Sequence, residues 1–298
     1  MTLAVDQELL ETGYRRCAEI TRRNGTTYYW GTQLLPRERR RHVHAVYALC
    51  RLADDIVDDQ VATAGREPAE IRSELLGFAD AFRRAGISGT ADPVLAAAAH
   101  TVRTVGIPQE CFDRFFGAMA MDLTTTRYET WDDLLGYMEG SAAVIGEMML
   151  PVLQPLGPEA VEPARALGFA FQYTNFLRDV AEDLDRGRIY LPQEELRRFG
   201  VTPVDLGRRV VTPQWRAFLA HEIERARALY QVADRGLPWL PPRSARCVAT
   251  AGVLYSRILD RIEAADYDVF HVRAWVATWR KAGTAARILL TGPASAGT

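Results

Sequence analysis

Several features that mark other protein classes are scarce in this chain of 298 residues. The four cysteines lie far apart and form no C-x-x-C pair, so we interpret them as buried thiols of a reducing compartment. No apolar run approaches the roughly 18 residues of a membrane-spanning helix. The N-terminus has no basic segment followed by an apolar one, so we expect no secretory signal and a cytoplasmic protein. The cysteines are Cys17, Cys50, Cys111 and Cys247.

A dominant charge and several catalytic motifs are also missing. The 36 Lys and Arg residues nearly balance 38 Asp and Glu residues, so the net charge of −2 predicts no nucleic-acid partner. No G-x-x-x-x-G-K-[ST], G-x-G-x-x-G or G-x-S-x-G motif supports a kinase-like, dinucleotide-binding or acyl-transfer function. A di-iron site is disfavoured because the sequence contains no E-x-x-H motif and its one D-x-x-H pair, Asp268 and His271, stands alone. We interpret His42 and His44 as helix-surface residues.

The hydrophobic pattern predicts an all-α fold. Alternating runs of β-branched residues are scarce, whereas apolar residues recur at spacings of three and four. Proline and glycine interrupt this pattern only briefly, so we expect one helical domain over residues 1–290 and a flexible tail at 291–298. The expected helices span residues 6–23, 36–59, 68–85, 92–105, 108–122, 130–150, 158–185, 214–236, 241–265 and 272–281.

An unusual acidic cluster lies at the end of the second expected helix, in RLADDIVDD. It places Asp54, Asp55, Asp58 and Asp59 within six positions, on a helix whose other side is apolar. Like charges at i,i+4 cost about 0.2–0.5 kcal/mol per pair, and the C-terminal end of a helix disfavours anions. A bound Mg²⁺ would reverse that balance, because it prefers oxygen ligands. A solvated acidic helix end is the alternative.

A second polar face follows in QYTNFLRDVAEDLDRGRIY, residues 172–190. Arg178 and Arg188 supply forked donors that suit diphosphate oxygens, although Arg178 and Glu182 can form an ordinary i,i+4 ion pair. Two such faces can oppose each other across a bundle and hold Mg²⁺ between protein and diphosphate. In a non-catalytic helical binding protein, both would be solvated surface. The polar positions, spaced i, i+3, i+7 and i+11, are Gln172, Asn175, Asp179 and Asp183.

These two segments resemble the signatures of the squalene/phytoene synthase family, the head-to-head isoprenyl diphosphate synthases. The signatures read YALCRLADDIVDD (47–59) and QYTNFLRDVAEDLDRGRIYLP (172–192). Similarity extends through TTYYWGTQLLP (26–36) and YMEGSAAVIGEMM (137–149) to LYSRILDRIEAADYDVF (254–270). The resemblance covers nearly the whole chain and implies a single-domain isoprenoid-synthase helical bundle around a central cavity.

The resemblance also implies the reaction. One prenyl diphosphate loses diphosphate, the allylic cation alkylates a second one, and the cyclopropyl diphosphate rearranges to a head-to-head hydrocarbon. We expect two geranylgeranyl diphosphates to give phytoene. The alternative is a C15 reaction, in which farnesyl diphosphate gives presqualene diphosphate, squalene or dehydrosqualene. Two or three Mg²⁺ ions are implied, with Mn²⁺ as a substitute, and NADPH is not expected.

Site residues are assigned by their positions in the matching segments. The metal ligands implied are Asp54, Asp58, Asn175, Asp179 and Asp183. The catalytic residues are the four aspartates of that set together with Tyr137, and aromatic rings such as Tyr28 and Tyr137 can steady a cation by about 0.5–2 kcal/mol. The substrate-binding residues implied are Asn24, Gly25, Thr26, Thr27, Tyr28, Tyr47, Arg51, Gln172, Asn175, Arg178, Arg188, Tyr190 and Tyr255.

Three further points concern the surroundings of this site. The segment Gly25 to Thr27 precedes a short helical pattern, whose free N–H groups suit phosphate. The chain departs from the family at Ser141-Ala142-Ala143, where Val-Ala-Gly is common. It also departs after Phe270, where two adjacent arginines are usual and this chain has Val272 and Arg273, so we expect one diphosphate contact to be missing or shifted. Because substrate tails and product are hydrocarbon, transient contact with the inner face of the membrane is expected, through residues 36–46 or 272–281.

Overall fold

The computed structural model describes residues 6–274, apart from the side chains of residues 26–28, 60 and 61. This part contains fifteen α-helices and no strand, so the all-α prediction is confirmed. The helices are α1 Gln7–Asn24, α2 Thr26–Thr32, α3 Arg37–Asp58, α4 Gln60–Thr63, α5 Pro68–Ser88, α6 Pro93–Val105, α7 Gln109–Met121, α8 Trp131–Met138, α9 Val144–Leu153, α10 Val161–Arg178, α11 Val180–Asp185, α12 Gln193–Arg198, α13 Pro203–Arg208, α14 Pro213–Asp234 and α15 Pro242–Ala264.

Local capping chemistry explains where the long helices begin and end. The side chain of Asp92 accepts a hydrogen bond from the backbone N–H of Leu95, and Pro93 occupies the first turn of α6. Gly106 ends that helix in the left-handed region, at φ 76°, where a residue without Cβ is favoured. The side chain of Asp6 caps α1 in the same way, by accepting from the backbone of Glu8 and Leu9. These signals are local, so the sequence predicted the helix ends within a few residues.

Two expected long helices are interrupted. The helix expected at 130–150 contains a π-helical turn at Glu139–Ala143, between α8 and α9. The backbone of this turn packs closely on the backbone of α10, since a Cβ added to Gly168 would lie 2.3 Å from the carbonyl oxygen of Ala142. The helix expected at 158–185 breaks at Asp179, between α10 and α11. Of the helix expected at 272–281, residues 272–274 are not helical, and the rest lies outside the described residues, as does the tail at 291–298.

His42 and His44 are buried, so the expectation that they lie on a helix surface was wrong. Their exposed fractions are 4% and 3%. His42 Nδ1 lies 2.9 Å from the hydroxyl of Thr101, and His44 Nε2 lies 3.1 Å from that of Thr32. These hydroxyls satisfy the rings where α1, α2 and α6 pack against α3. The four cysteines are free thiols; Cys17, Cys111 and Cys247 are buried as expected, and Cys50 is only partly buried.

Three long helices begin at one end of the bundle. Near the start of α3, Arg39 Nη1 donates to the carbonyl of Val152 at 3.2 Å, at the end of α9. Near the start of α15, Ser244 Oγ donates to the carbonyl of Leu153 at 2.7 Å. The link from α9 to α10 also lies here, because Leu156 N donates to the carbonyl of Trp239 at 2.8 Å. We call residues 154–161 and 236–241 the turn end of the bundle.

An apolar cavity extends along these helices, in agreement with the predicted central cavity. Its walls come from α2, α3, α9, α10 and α15 and from the π-helical turn. Representative lining residues are Val43, Ile145, Met149, Leu167, Phe171 and Val248. Among the described residues, we find no helix with both the length and the hydropathy needed to cross a bilayer.

Candidate active site

The two acidic segments meet at the end of the bundle opposite the turn end. Asp58, the last residue of α3, accepts hydrogen bonds from Arg188 Nη1 at 2.6 Å and from Arg186 Nη1 at 3.3 Å. The other Nη of Arg186 reaches Glu182 at 2.8 Å. Arg186 therefore joins the two segments directly, although about 130 residues separate them in the sequence.

Asp179 lies at the break between α10 and α11, within a group of arginines. Its carboxylate accepts from Arg178 Nε at 2.8 Å and from Arg273 Nε at 3.0 Å. Arg273 Nη2 also lies 3.2 Å from Glu182. Arg178 thus pairs with the adjacent Asp179, and Glu182 pairs with Arg186 and Arg273, so the i,i+4 pair between Arg178 and Glu182 does not form. Of the two adjacent arginines that are usual at this place in the family, the chain has Arg273, and Val272 stands where the other would be.

Two buried oxygens in this cluster have no hydrogen-bond partner. They are Asn175 Oδ1 and Asp183 Oδ2. A buried oxygen without a donor is costly, about 1–3 kcal/mol. Burial, followed by repulsion from Asp179, raises the pKa of Asp183 to about 8. Unpaired oxygens beside further carboxylates form a donor set that fits a hard divalent cation.

Asp54, in the first acidic segment, also has a raised pKa. Burial among the helices, and next the repulsion from Asp58, raises the pKa of Asp54 to about 7. About 41% of its side-chain surface nevertheless remains accessible, so a proton or a cation can reach it. Arg51 lies 3.3 Å from Asp54 and also pairs with Asp55. One arginine thus compensates two carboxylates only in part, which favours a further cation.

The predicted substrate residues of α3 and α15 lie around the same space. The ring of Tyr47 packs on Gly25, where an added Cβ would lie 2.6 Å from the ring carbon Cζ. Glycine is therefore required for this close approach. Tyr255 is hydrogen-bonded to Arg178, and its ring centroid is 4.5 Å from that of Phe171.

The predicted phosphate segment is only partly described. Asn24 is exposed, and its amide donates to the carbonyl of Ile20 at 3.2 Å, within α1. The backbone of residues 26–28 begins α2, but the side chains of Thr26, Thr27 and Tyr28 lie outside the described part of the structure. Their contacts with substrate stay predictions.

One face of α10 connects the apolar cavity to the acidic end. Gly168 and Gln172 line the cavity, and Asn175 and Asp179 follow at steps of three and four residues. From Ala164, at the far end of the cavity, to Asp179 is about 22 Å along the helix axis. A ligand can therefore hold a polar head at Asp179 and extend an apolar tail along the cavity.

Asp122, which lies at the end of α7, belongs to this site and was missed by the sequence analysis. Its carboxylate accepts from the hydroxyls of Tyr137 at 2.5 Å and Tyr190 at 2.8 Å. Arg188 donates to its backbone carbonyl at 3.2 Å while holding Asp58. Burial raises the pKa of Asp122 to about 6. A lone aspartate after an apolar helix carries no local signal, because its partners come from distant elements.

Tyr137 is held inside an aromatic cluster. It is buried, its ring centroid lies 5.7 Å from that of Tyr190, and its hydroxyl is bonded to Asp122. Phe176 stacks on Tyr190 at 4.2 Å between centroids. The structure supports a positioning role for these rings beside Arg188, and direct cation stabilisation by Tyr137 stays a prediction.

A second group of potential ligands lies apart from this site. Ligand atoms of Glu195, His221 and Glu222 come within 4.8 Å of one another. Arg225 bridges the two carboxylates, at 2.6 Å from Glu222 and 3.0 Å from Glu195, and Tyr173 donates to Glu222 at 2.5 Å. The arginine already compensates this group, so it fits a polar network that joins α10, α12 and α14.

Comparisons with known proteins agree with this arrangement. The sequence model of the squalene/phytoene synthase family matches residues 21–281. The chain is 39% identical over 281 residues to the chloroplastic phytoene synthase of Daucus carota, covering 92% of this chain and 69% of that protein. It is 36% identical over 285 residues to the 15-cis-phytoene synthase of Synechococcus elongatus, covering 91% of each.

Solved structures give the same result. A ligand complex of a dehydrosqualene synthase superposes with a TM-score of 0.85 at 28% identity, covering 95% of this chain and 97% of that one. A squalene synthase from Alicyclobacillus acidocaldarius superposes with a TM-score of 0.78 at 31% identity, covering 87% and 96%. Together with the two acidic faces and the adjoining cavity, these matches establish that the chain belongs to the squalene/phytoene synthase family.

Proposed function

We propose that this protein is a phytoene synthase, a prenyltransferase that condenses two geranylgeranyl diphosphates head to head and releases diphosphate. The observation that carries the proposal is the meeting of Asp58 and the segment after Asp179, through Arg186 and Arg188, beside an apolar cavity. The phytoene synthases among its relatives, at 36–39% identity, favour this product.

Mg²⁺ is the cofactor that the donor set suits best. The residues that would hold it are Asp54, Asp58, Asn175, Asp179 and Asp183, all of which bind through oxygen. The unpaired oxygens of Asn175 and Asp183 support this assignment. When bound, Mg²⁺ neutralises the charge that develops on the departing diphosphate.

The arginines of the site would bind and orient the diphosphates. Arg51, Arg178 and Arg188 each pair with a carboxylate that is a proposed metal ligand. Charge-assisted hydrogen bonds from these guanidinium groups become stronger as negative charge grows on the leaving group, which lowers the barrier to ionisation. Asp122 would keep Tyr137 and Tyr190 in place next to Arg188.

The apolar cavity would protect the carbocation. Its walls contain few polar groups, so water that would quench the cation is excluded while the prenyl chains are held extended. Gln172 lies where the apolar lining gives way to the polar face of α10, and we assign it to the boundary between diphosphate and chain.

A C15-using synthase is the second candidate, because the two solved structures described above are dehydrosqualene and squalene synthases. The deciding experiment incubates the purified protein with farnesyl or geranylgeranyl diphosphate and Mg²⁺ or Mn²⁺, with and without NADPH, and identifies products by mass. We expect phytoene from the C20 substrate without NADPH. Thirty-carbon products alone would transfer the assignment to the C15 class, and the absence of condensation with either substrate would overturn it.

A paired substitution tests the metal assignment. Asp54→Asn combined with Asp179→Asn should abolish condensation and leave the far-UV circular dichroism unchanged. Mg²⁺ with pyrophosphate should raise the melting temperature of the unmodified protein, because a ligand at 100 times its Kd stabilises the folded state by about 2.7 kcal/mol. The melting temperature of the double variant should not change. Asp113→Asn, at an exposed position on α7, is the matched control. Undiminished turnover in the double variant would contradict the assignment.

A further inference from the structure

The polar network that joins α10, α12 and α14 contains three side chains that can bind a metal ion. They are Glu195 on α12 and His221 and Glu222 on α14, and one ligand atom of each lies within 4.8 Å of the others. Glu195 and Glu222 are buried, and Glu222 has no exposed surface. An imidazole nitrogen together with carboxylate oxygens is a donor set that suits divalent transition-metal ions such as Zn²⁺.

The hydrogen bonds of this network use only part of each carboxylate. Arg225 Nη1 donates to Glu222 Oε2 at 2.6 Å, and the hydroxyl of Tyr173 donates to the same oxygen at 2.5 Å. Arg225 Nη2 donates to Glu195 Oε1 at 3.0 Å. The arginine therefore holds one oxygen of each carboxylate and leaves the other oxygen of each for a different partner.

Two buried atoms of the network have no hydrogen-bond partner. They are Glu222 Oε1 and His221 Nε2. A buried polar atom without a partner costs about 1–3 kcal/mol, and a bound ion is one of the ways in which proteins satisfy such atoms. Burial also raises the pKa of Glu222, so its negative charge is disfavoured unless a further cation binds nearby.

The second oxygen of Glu195 lies near these two atoms. Glu195 Oε2 is 3.9 Å from His221 Nε2. Its donor is Arg198 Nη1 at 3.2 Å, and the side chain of Arg198 is 64% exposed. A cation can displace this donor at little cost, because an exposed ion pair contributes about 0–1 kcal/mol. The side chain of His221 is 37% exposed, which gives a metal ion a path from solvent.

We propose that Glu195, His221 and Glu222 form a second metal site, which binds Zn²⁺ in preference to Mg²⁺. The ligand atoms are Glu195 Oε2, His221 Nε2 and Glu222 Oε1. Bonds of about 2.0–2.1 Å place tetrahedral ligands about 3.3 Å apart, so the spacing of up to 4.8 Å shortens by about 1.5 Å on binding. Arg225 stays on the outer oxygens and orients both carboxylates. The imidazole disfavours Mg²⁺, which prefers oxygen ligands.

The bound ion would fasten α12 to α14. Arg188 and Tyr190 precede α12 by a few residues and contact Asp58 and Asp122 in the candidate active site. We therefore expect the ion to stabilise the fold next to the candidate active site without taking part in the reaction. The proposal does not rest on the proposed function.

Titration of the full chain with Zn²⁺ tests the proposal. The metal-free protein is kept in excess Mg²⁺, which competes for sites made of oxygen alone, and binding is followed by calorimetry and thermal melts. We expect one Zn²⁺ per chain and a higher melting temperature. His221→Gln and Glu195→Gln should each weaken binding more than about tenfold. The matched control, His271→Gln, removes an exposed histidine beside Asp268 and should leave binding unchanged.

Every other outcome overturns the proposal. These outcomes are no Zn²⁺ binding by the unmodified protein in excess Mg²⁺, undiminished binding by His221→Gln and Glu195→Gln, or loss of binding in His271→Gln. Loss of Zn²⁺ binding in Asp54→Asn with Asp179→Asn would also overturn it, because the ion would then occupy the candidate active site. Circular dichroism checks that each variant is folded, and Glu195→Gln decides if His221→Gln is not. Failure of the proposed function would show as no condensation by the unmodified protein, whatever the Zn²⁺ titration gives.

Discussion

Replacing Asp122 with alanine removes the acceptor that joins Tyr137 to Tyr190. Both hydroxyls are buried and donate to this carboxylate, at 2.5 and 2.8 Å, and alanine would leave both without an acceptor. Each unsatisfied buried group costs about 1–3 kcal/mol, so we expect the free energy of unfolding to fall by about 2–6 kcal/mol. Urea denaturation followed by circular dichroism measures this change.

A rescue experiment separates the hydrogen bonds from a general packing defect. Adding Tyr137→Phe and Tyr190→Phe to Asp122→Ala removes the stranded hydroxyls and should recover more than half of the lost stability. Arg188 contacts the backbone carbonyl at position 122, so stabilisation by Mg²⁺ with pyrophosphate should persist in Asp122→Ala. A loss below about 0.5 kcal/mol, or no recovery in the triple variant, would refute the role of Asp122 in holding the two tyrosines.

Two other predictions concern packing and pH. Gly25→Ala should destabilise the fold by about 1–3 kcal/mol and raise KM, because the new methyl group collides with the ring of Tyr47. The control is Gly77→Ala, inside α5 with open space around it, which should raise the free energy of unfolding by about 0.5–1 kcal/mol in urea denaturation. Equal changes in stability for Gly25→Ala and Gly77→Ala would contradict the close approach of Tyr47 to Gly25. Burial lowers the pKa of His42 and His44 from 6.5 to about 4, so the unfolded chain takes up protons first as the pH falls. The contribution of these histidines to the free energy of unfolding should be complete above pH 6.5 and should fall by about 2 kcal/mol per histidine at pH 5, as measured by urea titrations. His42→Gln combined with His44→Gln should remove this pH dependence, and an unchanged dependence in that variant would contradict the assignment.

Most helices could be predicted because their signals lie within a few residues. Asp92 and Gly106 mark the two ends of α6 by capping chemistry, and the apolar spacing between them defines its buried face. The interruptions were missed because the residues that pack against them are distant in the sequence. The π-helical turn lies where Ala142 meets Gly168 on α10, and the carboxylate of Asp179, at the second interruption, pairs with Arg273, 94 positions later.

By itself, the sequence determined the all-α fold and the two polar helix faces, because these depend on residue type and on spacings of three and four, and its two signature segments indicated the family. Only the tertiary structure decided that Asp58 meets Arg188 and that Asp122 joins Tyr137 to Tyr190. It also decided that Glu195 meets His221 and Glu222. Such contacts depend on how helices far apart in the chain pack together, and no local pattern of residues encodes that packing.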